Sequence, residues 1–391
     1  MTTPDIAEHQ ALAAPSINDY VLDGTKVMYY GDRIRAWERG ERIAPITMDV
    51  AWTRACQASC SFCYASTQAS SYFMGDPSKP KKITKKVAFE YLEDAAEIGV
   101  KGVSLISDGE STVVPWYAES IQYAAKVGIK IGVGSNGIAL TRDVLAKIMP
   151  HVSYIRFNFS AGERKRYAEI MGLEEKYYDI VLQNIADAMD IKRRDNLPVN
   201  INMQLVCDPK DSDQLMPFAH LVRKMRPSYG IVKHTADTPE QILAVDYSKY
   251  AALHDTFRAI EAMGDDECRM VVKWNRIVNE GKREYSKCMG PPFIMQISGN
   301  GLVGPCGLLF NEKFKAFHIG SILDDRFRNI WASDRYWEVM EYLNSDQFNP
   351  QERCGSNCLQ DRTNDWLFRY KAGTVALPHE GAKAPPDLEF I

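Results

Sequence analysis

The chain has 391 residues, 45% hydrophobic and 25% charged, enough for one large domain with an appendage or for two domains, with a sizeable core. Its formal net charge of −4 gives no support for general nucleic-acid or anionic-membrane binding. No apolar run is long enough to span a bilayer, and the N-terminus Met1-Thr2-Thr3-Pro4-Asp5 lacks the charged head and apolar stretch of an export signal. Nine cysteines without such a signal argue for reduced thiols or metal ligation in the cytoplasm, not a disulfide framework.

Residues 1–45 read as a polar leader, with a turn signal at Asp23-Gly24-Thr25 ahead of Val27-Met28-Tyr29-Tyr30. From there to about residue 240, strand-like and helical runs alternate. Strands are expected at 46–52, 102–106, 130–134, 153–159, 199–205 and 229–233, short β-branched or aromatic runs bounded by Gly, Pro, Asn or Asp. Helical patterns cover 84–98, 177–192 and 211–225. Lys79, Lys81, Lys82, Lys85 and Lys86 form a basic run that reads as a solvated loop and helix start. Strands alternating with helices pair in parallel through crossovers. Six units are too few for a closed eight-stranded barrel, and the periodicity leaves a (βα)6 partial barrel and a doubly wound open sheet equally open.

In such folds chemistry collects beyond the C-terminal ends of the strands. Cys56-Gln57-Ala58-Ser59-Cys60-Ser61-Phe62-Cys63 follows the first expected strand, with Tyr64 next. Three thiolates leave one iron of a four-iron cluster open, and an open iron can bind a second molecule. A zinc site would normally show Cys-x2-Cys pairs and four ligands; a redox pair of Cys60 and Cys63 leaves Cys56 unexplained. Ser107-Asp108-Gly109-Glu110-Ser111 follows the second strand and Ser135-Asn136-Gly137 the third, so these signals share one rim. Asn158 and Ser160 end the fourth, Gln204 the fifth, and Val232, Lys233 and His234 the sixth. Lys233 and His234 are the candidate acid–base residues.

The last third carries Cys288, Cys306, Cys354 and Cys358, with Ser298-Gly299-Asn300 reading as a hairpin turn ahead of a Gly-x4-Cys unit. Four thiolates can ligate every iron of a cluster or hold a structural zinc. Cys207 and Cys268 read as small buried residues.

The Cys-x3-Cys-x2-Cys run resembles the signature of the radical S-adenosylmethionine (radical SAM) superfamily, and the last four cysteines resemble that superfamily's SPASM and twitch extensions. The resemblance implies an α/β fold: a partial (βα)6 TIM-like barrel at 46–240, a helical linker at 241–285, a twitch/SPASM domain at 286–370 and a tail at 371–391. It implies a [4Fe-4S] cluster on Cys56, Cys60 and Cys63 whose free iron chelates SAM. It also implies one auxiliary [4Fe-4S] cluster on Cys288, Cys306, Cys354 and Cys358. Gly109 and Glu110 stand where the superfamily has Gly-Gly-Glu-Pro, although Asp108 replaces the first glycine and Ser111 the proline. With Phe62, Ser135, Asn136, Asn158, Ser160, Gln204 and Val232 they are the expected SAM contacts, Phe62 against the adenine.

The implied activity is reductive SAM cleavage to a 5′-deoxyadenosyl radical, which takes hydrogen from substrate, with a flavodoxin- or ferredoxin-like reductant. One auxiliary cluster on four cysteines is similar to the arrangement in aminocyclitol alcohol oxidases. A small polar substrate such as a sugar or aminocyclitol is therefore expected, oxidised or rearranged with the auxiliary cluster as electron acceptor. Peptide modification is the alternative, although only about 45 residues precede the core, too few for a winged-helix leader-peptide domain. A non-catalytic iron–sulfur or zinc protein that scaffolds or carries electrons is the reading of another class.

Overall fold

The computed structural model describes residues 24–63, 65, 82–238, 240–274, 283–354, 358 and 360–391; Tyr64, Lys79, Lys81 and the leader up to residue 23 lie outside the described residues. The six expected strands form as β1 (Thr47–Val50), β2 (Gly102–Leu105), β3 (Lys130–Ser135), β4 (Val152–Asn158), β5 (Asn200–Cys207) and β6 (Tyr229–His234). They pair in parallel in sequence order. Alternate residues face opposite ways. Met48, Val103, Val133, Phe157, Met203 and Val232 pack in the main core, whereas Tyr154, Tyr229 and Ile231 belong to a separate cluster on the inner, concave face.

Helices cover the outer face. The one over Lys85–Ile98 begins where Thr84 accepts from the Val87 N–H and ends at Gly99, whose φ of 99° suits glycine. Lys85 and Lys86 pair with Glu119 and Glu90 across its exposed side. Among the described residues no helix is long and apolar enough to cross a membrane.

Two further parallel strands extend the expected six. The stretch expected as a helical linker holds the helix His254–Ala262 and also β7 (Arg269–Val272), which pairs with β6. The C-terminal segment supplies β8 (Ile294–Ile297), which lies parallel to β1, then β9 (Leu302–Gly304) and β10 (Gly320–Ser321), both antiparallel. The hairpin turn at 298–300 joins β8 to β9 as its residues suggest. Among the described residues one ten-stranded sheet results, with β10 and β7 as its edges, so the barrel is open.

The C-terminal tail closes the N-terminal end of the strands. Thr47 Oγ1 donates to Glu389 O at 2.7 Å, and Lys26 Nζ donates to Pro386 O and Asp387 O at 3.0 and 2.8 Å. Phe390 meets Tyr154 edge-on, ring centres 5.1 Å apart, inside the concave cluster. Gly102 admits this strand of chain, since a Cβ there would stand 2.5 Å from Glu389 O.

Candidate active site and auxiliary cysteine site

The loop bearing Cys56, Cys60 and Cys63 is fixed by its backbone. Ser59 N and Ser61 N donate to Met171 O and Ile170 O, at 3.1 and 2.9 Å, at the end of the helix Arg164–Met171. Cys63 N closes a turn onto Cys60 O at 3.1 Å. At the loop's entry, Thr53 and Arg54 run between two glycines. A Cβ on Gly109 would stand 2.0 Å from Thr53 O, and one on Gly299 would stand 2.2 Å from Thr53 C. Cys56 is exposed on the rim, Cys60 and Cys63 are half-buried, and Cys60 Sγ rests 3.9 Å from Met171 Sδ. Burial pushes the Cys60 thiol up, and the neighbouring thiolates of Cys63 and Cys56 add to it. Phe62 packs half-buried against the core.

Glu110 is the organiser of this rim. Its Oε1 accepts from Ser135 Oγ at 2.9 Å and from Thr112 Oγ1 and N at 2.6 and 3.3 Å, while Oε2 accepts from Asn136 N at 2.7 Å. Burial raises its pKa against these bonds. Asn136 in turn donates to Gln57 Oε1 at 3.0 Å and reaches to 3.7 Å from Cys56 Sγ. Glu110, Ser135 and Asn136 thus come together as expected, but the first two spend their polar atoms on protein partners. Gly109 is small because the Thr53–Arg54 backbone needs the space. Asp108, the departure from the superfamily pattern, accepts from Gly299 N at 2.8 Å and pairs with Arg54 at 3.5 Å, tying the cysteine loop to the β8–β9 hairpin.

The remaining rim candidates divide. Asn158 Oδ1 accepts from Gln204 Nε2 at 3.0 Å, and Ser160 Oγ accepts from Val206 N at 3.2 Å, so Ser160 secures the backbone. Val232 has no free backbone edge, because β7 lies beside it and Lys273 N donates to its carbonyl at 2.9 Å. His234 shares the outward face of Val232, its ring 6.4 Å from those of Tyr247 and Tyr250, whereas Lys233 lies on the inner face with Ile231.

The inner face carries polar residues that were not singled out from the sequence. Asp49, Ser104, Arg156, Asn202 and Gln296 line it across β1, β2, β4, β5 and β8. Gln296 Nε2 donates to Asp49 Oδ2 at 3.0 Å, and burial pushes the Asp49 carboxyl up to about 6 against the pull of Arg156. Asn202 is fully buried with neither end of its amide hydrogen-bonded among the described residues, and Arg156 Nε, Gln204 Oε1 and Gln296 Oε1 are likewise buried without partners among them. The signal was legible in β5: Asn200, Asn202 and Gln204 alternate with Ile201, Met203 and Leu205, whereas a parallel strand buried on both sides reads as continuously apolar.

Cys288, Cys306, Cys354 and Cys358 converge on an apolar cavity of about 40 Å³ that Leu308, Leu343 and Phe348 also line. Burial pushes the Cys288, Cys306 and Cys354 thiols up, and neighbouring thiolates reinforce it. Coordination is what holds such thiols ionised, and an all-thiolate set suits iron–sulfur or zinc. Among the described residues no three His, Cys, Asp or Glu side chains stand close enough to share one metal ion. Thiolates of a four-iron cluster each bind a different iron and so stand further apart. Both cysteine groups fit a cluster on this chemistry. Cys207 and Cys268 are simply buried, their thiols near Asp208 O and Val222 O.

A family model described as the radical SAM superfamily matches residues 50–216, and a second, SPASM, described as an iron-sulfur cluster-binding domain, matches residues 288–359. The chain carries a radical SAM domain followed by a SPASM domain. Its cofactors are therefore SAM and a [4Fe-4S] cluster, and its SPASM domain implies auxiliary iron–sulfur chemistry. This radical SAM protein is 27% identical over 123 residues to an S-adenosylmethionine-dependent nucleotide dehydratase of Flammeovirga pacifica, a stretch that is 31% of this chain and 40% of that protein. It is 28% identical over 116 residues to the sporulation killing factor maturation protein SkfB of Bacillus subtilis, 30% of this chain and 26% of that one. The chain thus spans less than half the length of either relative. Among solved structures, Streptococcus suis SuiB bound to S-adenosylmethionine matches at a TM-score of 0.58 and 15% identity, covering 80% of this chain and 72% of that one. Native anSMEcpe with bound AdoMet matches at 0.53 and 12% identity, covering 84% and 97%. These structures share the fold.

Proposed function

We propose that this radical SAM enzyme is an oxidoreductase that oxidises or rearranges a polar small molecule of the sugar, aminocyclitol or nucleotide kind, in the cytoplasm, fed by a flavodoxin- or ferredoxin-like reductant. The observation that carries this reading is the concave face. Buried donors and acceptors left unpaired by protein cost about 1–3 kcal/mol each, and a polar ligand relieves that cost. Arg156 and Asn202 offer donors there, and Asn202, Gln204 and Gln296 offer acceptors. The likeness to a nucleotide dehydratase supports the same class.

Cys56, Cys60 and Cys63 hold the SAM cluster in this reading, and Cys288, Cys306, Cys354 and Cys358 hold one auxiliary cluster. When bound, the first cluster and SAM supply a 5′-deoxyadenosyl radical, and the second supplies an acceptor for an electron given up by substrate. Glu110 holds Ser135 and Asn136 in place beside Cys56, and Asn136 fixes the loop through Gln57. Lys233, on the inner face at the end of β6, is the proposed proton carrier. The second reading is peptide maturation, favoured by the likeness to SkfB.

The two are separated by incubating reduced, iron-loaded enzyme and SAM with nucleotides, sugars and aminocyclitols on one side and short peptides on the other. Mass spectrometry should find a product two mass units lighter, or an isomer, among the small molecules. Conversion of peptides alone would overturn the reading. Arg156→Met should cut turnover at least tenfold while leaving SAM cleavage without substrate unchanged; equal losses of both would remove Arg156 from the substrate.

A further inference from the structure

On the concave face the unpaired donors gather around a cation. Arg156 leaves β4 between Gly134 of β3 and Asn202 of β5, its partners in register. Gly134 gives the side chain its path: a Cβ there would stand 3.3 Å from Arg156 Nη2. Tyr154, two residues earlier, lies the same way over Gly132, where a Cβ would meet its ring at 2.4 Å, and its hydroxyl stands 3.2 Å from Ser104 Oγ. Tyr154 and Phe390 make an apolar floor on the tail side, and Arg156 stands one step nearer the cysteine rim.

Arg156 Nε is buried and unpaired among the described residues, and beside it both ends of the fully buried Asn202 amide are unpaired among them too. The acidic groups around this face are engaged elsewhere. Asp49 attracts Arg156 through space, but its carboxylate accepts from Gln296 Nε2 at 3.0 Å and from Ser104. Asp387 on the tail is drawn to Lys26 and accepts from Ser153 and Asn200. Glu110 is surrounded by its four donors at the rim. Lys233 adds a second cation to the inner face. A guanidinium fork matches the oxygens of a phosphate or carboxylate, and the charge-assisted bonds are about twice as strong as neutral ones.

We propose that Arg156 and the Asn202 amide bind an oxyanion of the substrate, a phosphate or carboxylate, while Gln204 Oε1 and Gln296 Oε1 accept from hydroxyl groups of the same molecule. The substrate is then an anionic polyol, not a neutral sugar or a cationic aminocyclitol. The inference rests on the reading that the concave face holds a polar small molecule.

The test is anaerobic titration calorimetry of iron-loaded, SAM-bound enzyme with glucose, glucose 6-phosphate, glucuronate, uridine and uridine 5′-monophosphate. At least one anion should bind about tenfold more tightly than its neutral parent, and the preference should shrink as salt rises. Whether a phosphate or glucuronate carries it identifies the oxyanion. Arg156→Met should abolish the preference, Arg156→Lys should keep part of it, and Asn202→Leu should reduce it. Should Arg156→Met fail to fold, the other two variants decide. Neutral ligands binding as tightly as their anions, no binding by any of the three anions, or a preference unmoved by these substitutions overturns the inference. Tight binding of glucose or uridine alone does so while sparing the small-molecule reading. Binding and conversion of peptides alone overturns both.

Discussion

Asp49 shows how one side chain reports on the site. It is half-buried between Gln296 of β8 and Ser104 of β2, and its pKa is pushed up to about 6. An unfolded carboxylate titrates near 3.9, so the native state keeps this proton to higher pH. Stability from Asp49 is present below the unfolded value and is lost as pH rises through about 4 to 6. The loss is on the order of 3 kcal/mol. Urea denaturation of Asp49→Asn and parent should therefore give a difference that grows in the variant's favour between pH 4 and 7; a pH-independent difference would contradict it. Burial raises the Glu110 carboxyl as well, but four donors surround it and hold it in place. Glu110→Gln turns an amide NH2 toward one or more of them and should cost about 1–3 kcal/mol. Thermal melting of the iron-free protein checks that figure. The cysteines were legible from spacing alone. The alternation of β5 was legible too, but the unpaired state of the Asn202 and Gln296 amides was not, because hydrogen-bond partners across strands depend on tertiary placement.

At the level of elements, the cysteine loop is held by parts far apart in the chain. Gly109 ends the turn after β2, Gly299 sits in the β8–β9 hairpin, and Thr53 and Arg54 pass between them while Asp108 bonds to Gly299 N. A methyl on Gly109 has no room, since the obstacle is backbone. Gly109→Ala should shift the loop entry and empty the first cysteine group. Iron analysis is expected to fall from about eight to about four per chain, with the auxiliary signal retained. Full iron content would show that the loop tolerates the shift. The six strands were readable because each is bounded by turn residues, and a helical pattern followed the first, fourth and fifth of them. β7 was missed because the four residues Arg269–Val272 are too few to show a decisive period. The pairing of β8 with β1 was hidden for another reason: periodicity marks a strand but does not name a partner that lies more than two hundred residues away.

Over the whole molecule, one sheet joins the radical SAM core to the SPASM domain, and the tail plugs its lower end. The tail's role was unreadable because Pro386, Asp387 and Glu389 bind through backbone carbonyls and only Phe390 enters the apolar cluster. Phe390→Ala should cost about 3–5 kcal/mol, read as a lowered thermal midpoint, while a surface-like contact would cost little. In the proposed function the two cysteine groups have separate duties. The direct measurement is 5′-deoxyadenosine formed from SAM by anaerobically reduced, iron-loaded protein, compared with product formed from substrate. Parent and Cys354→Ser should both release 5′-deoxyadenosine, Cys60→Ala should release none, and only the parent should turn substrate over. Release by Cys60→Ala at the parent rate, or normal turnover by Cys354→Ser, would contradict the account.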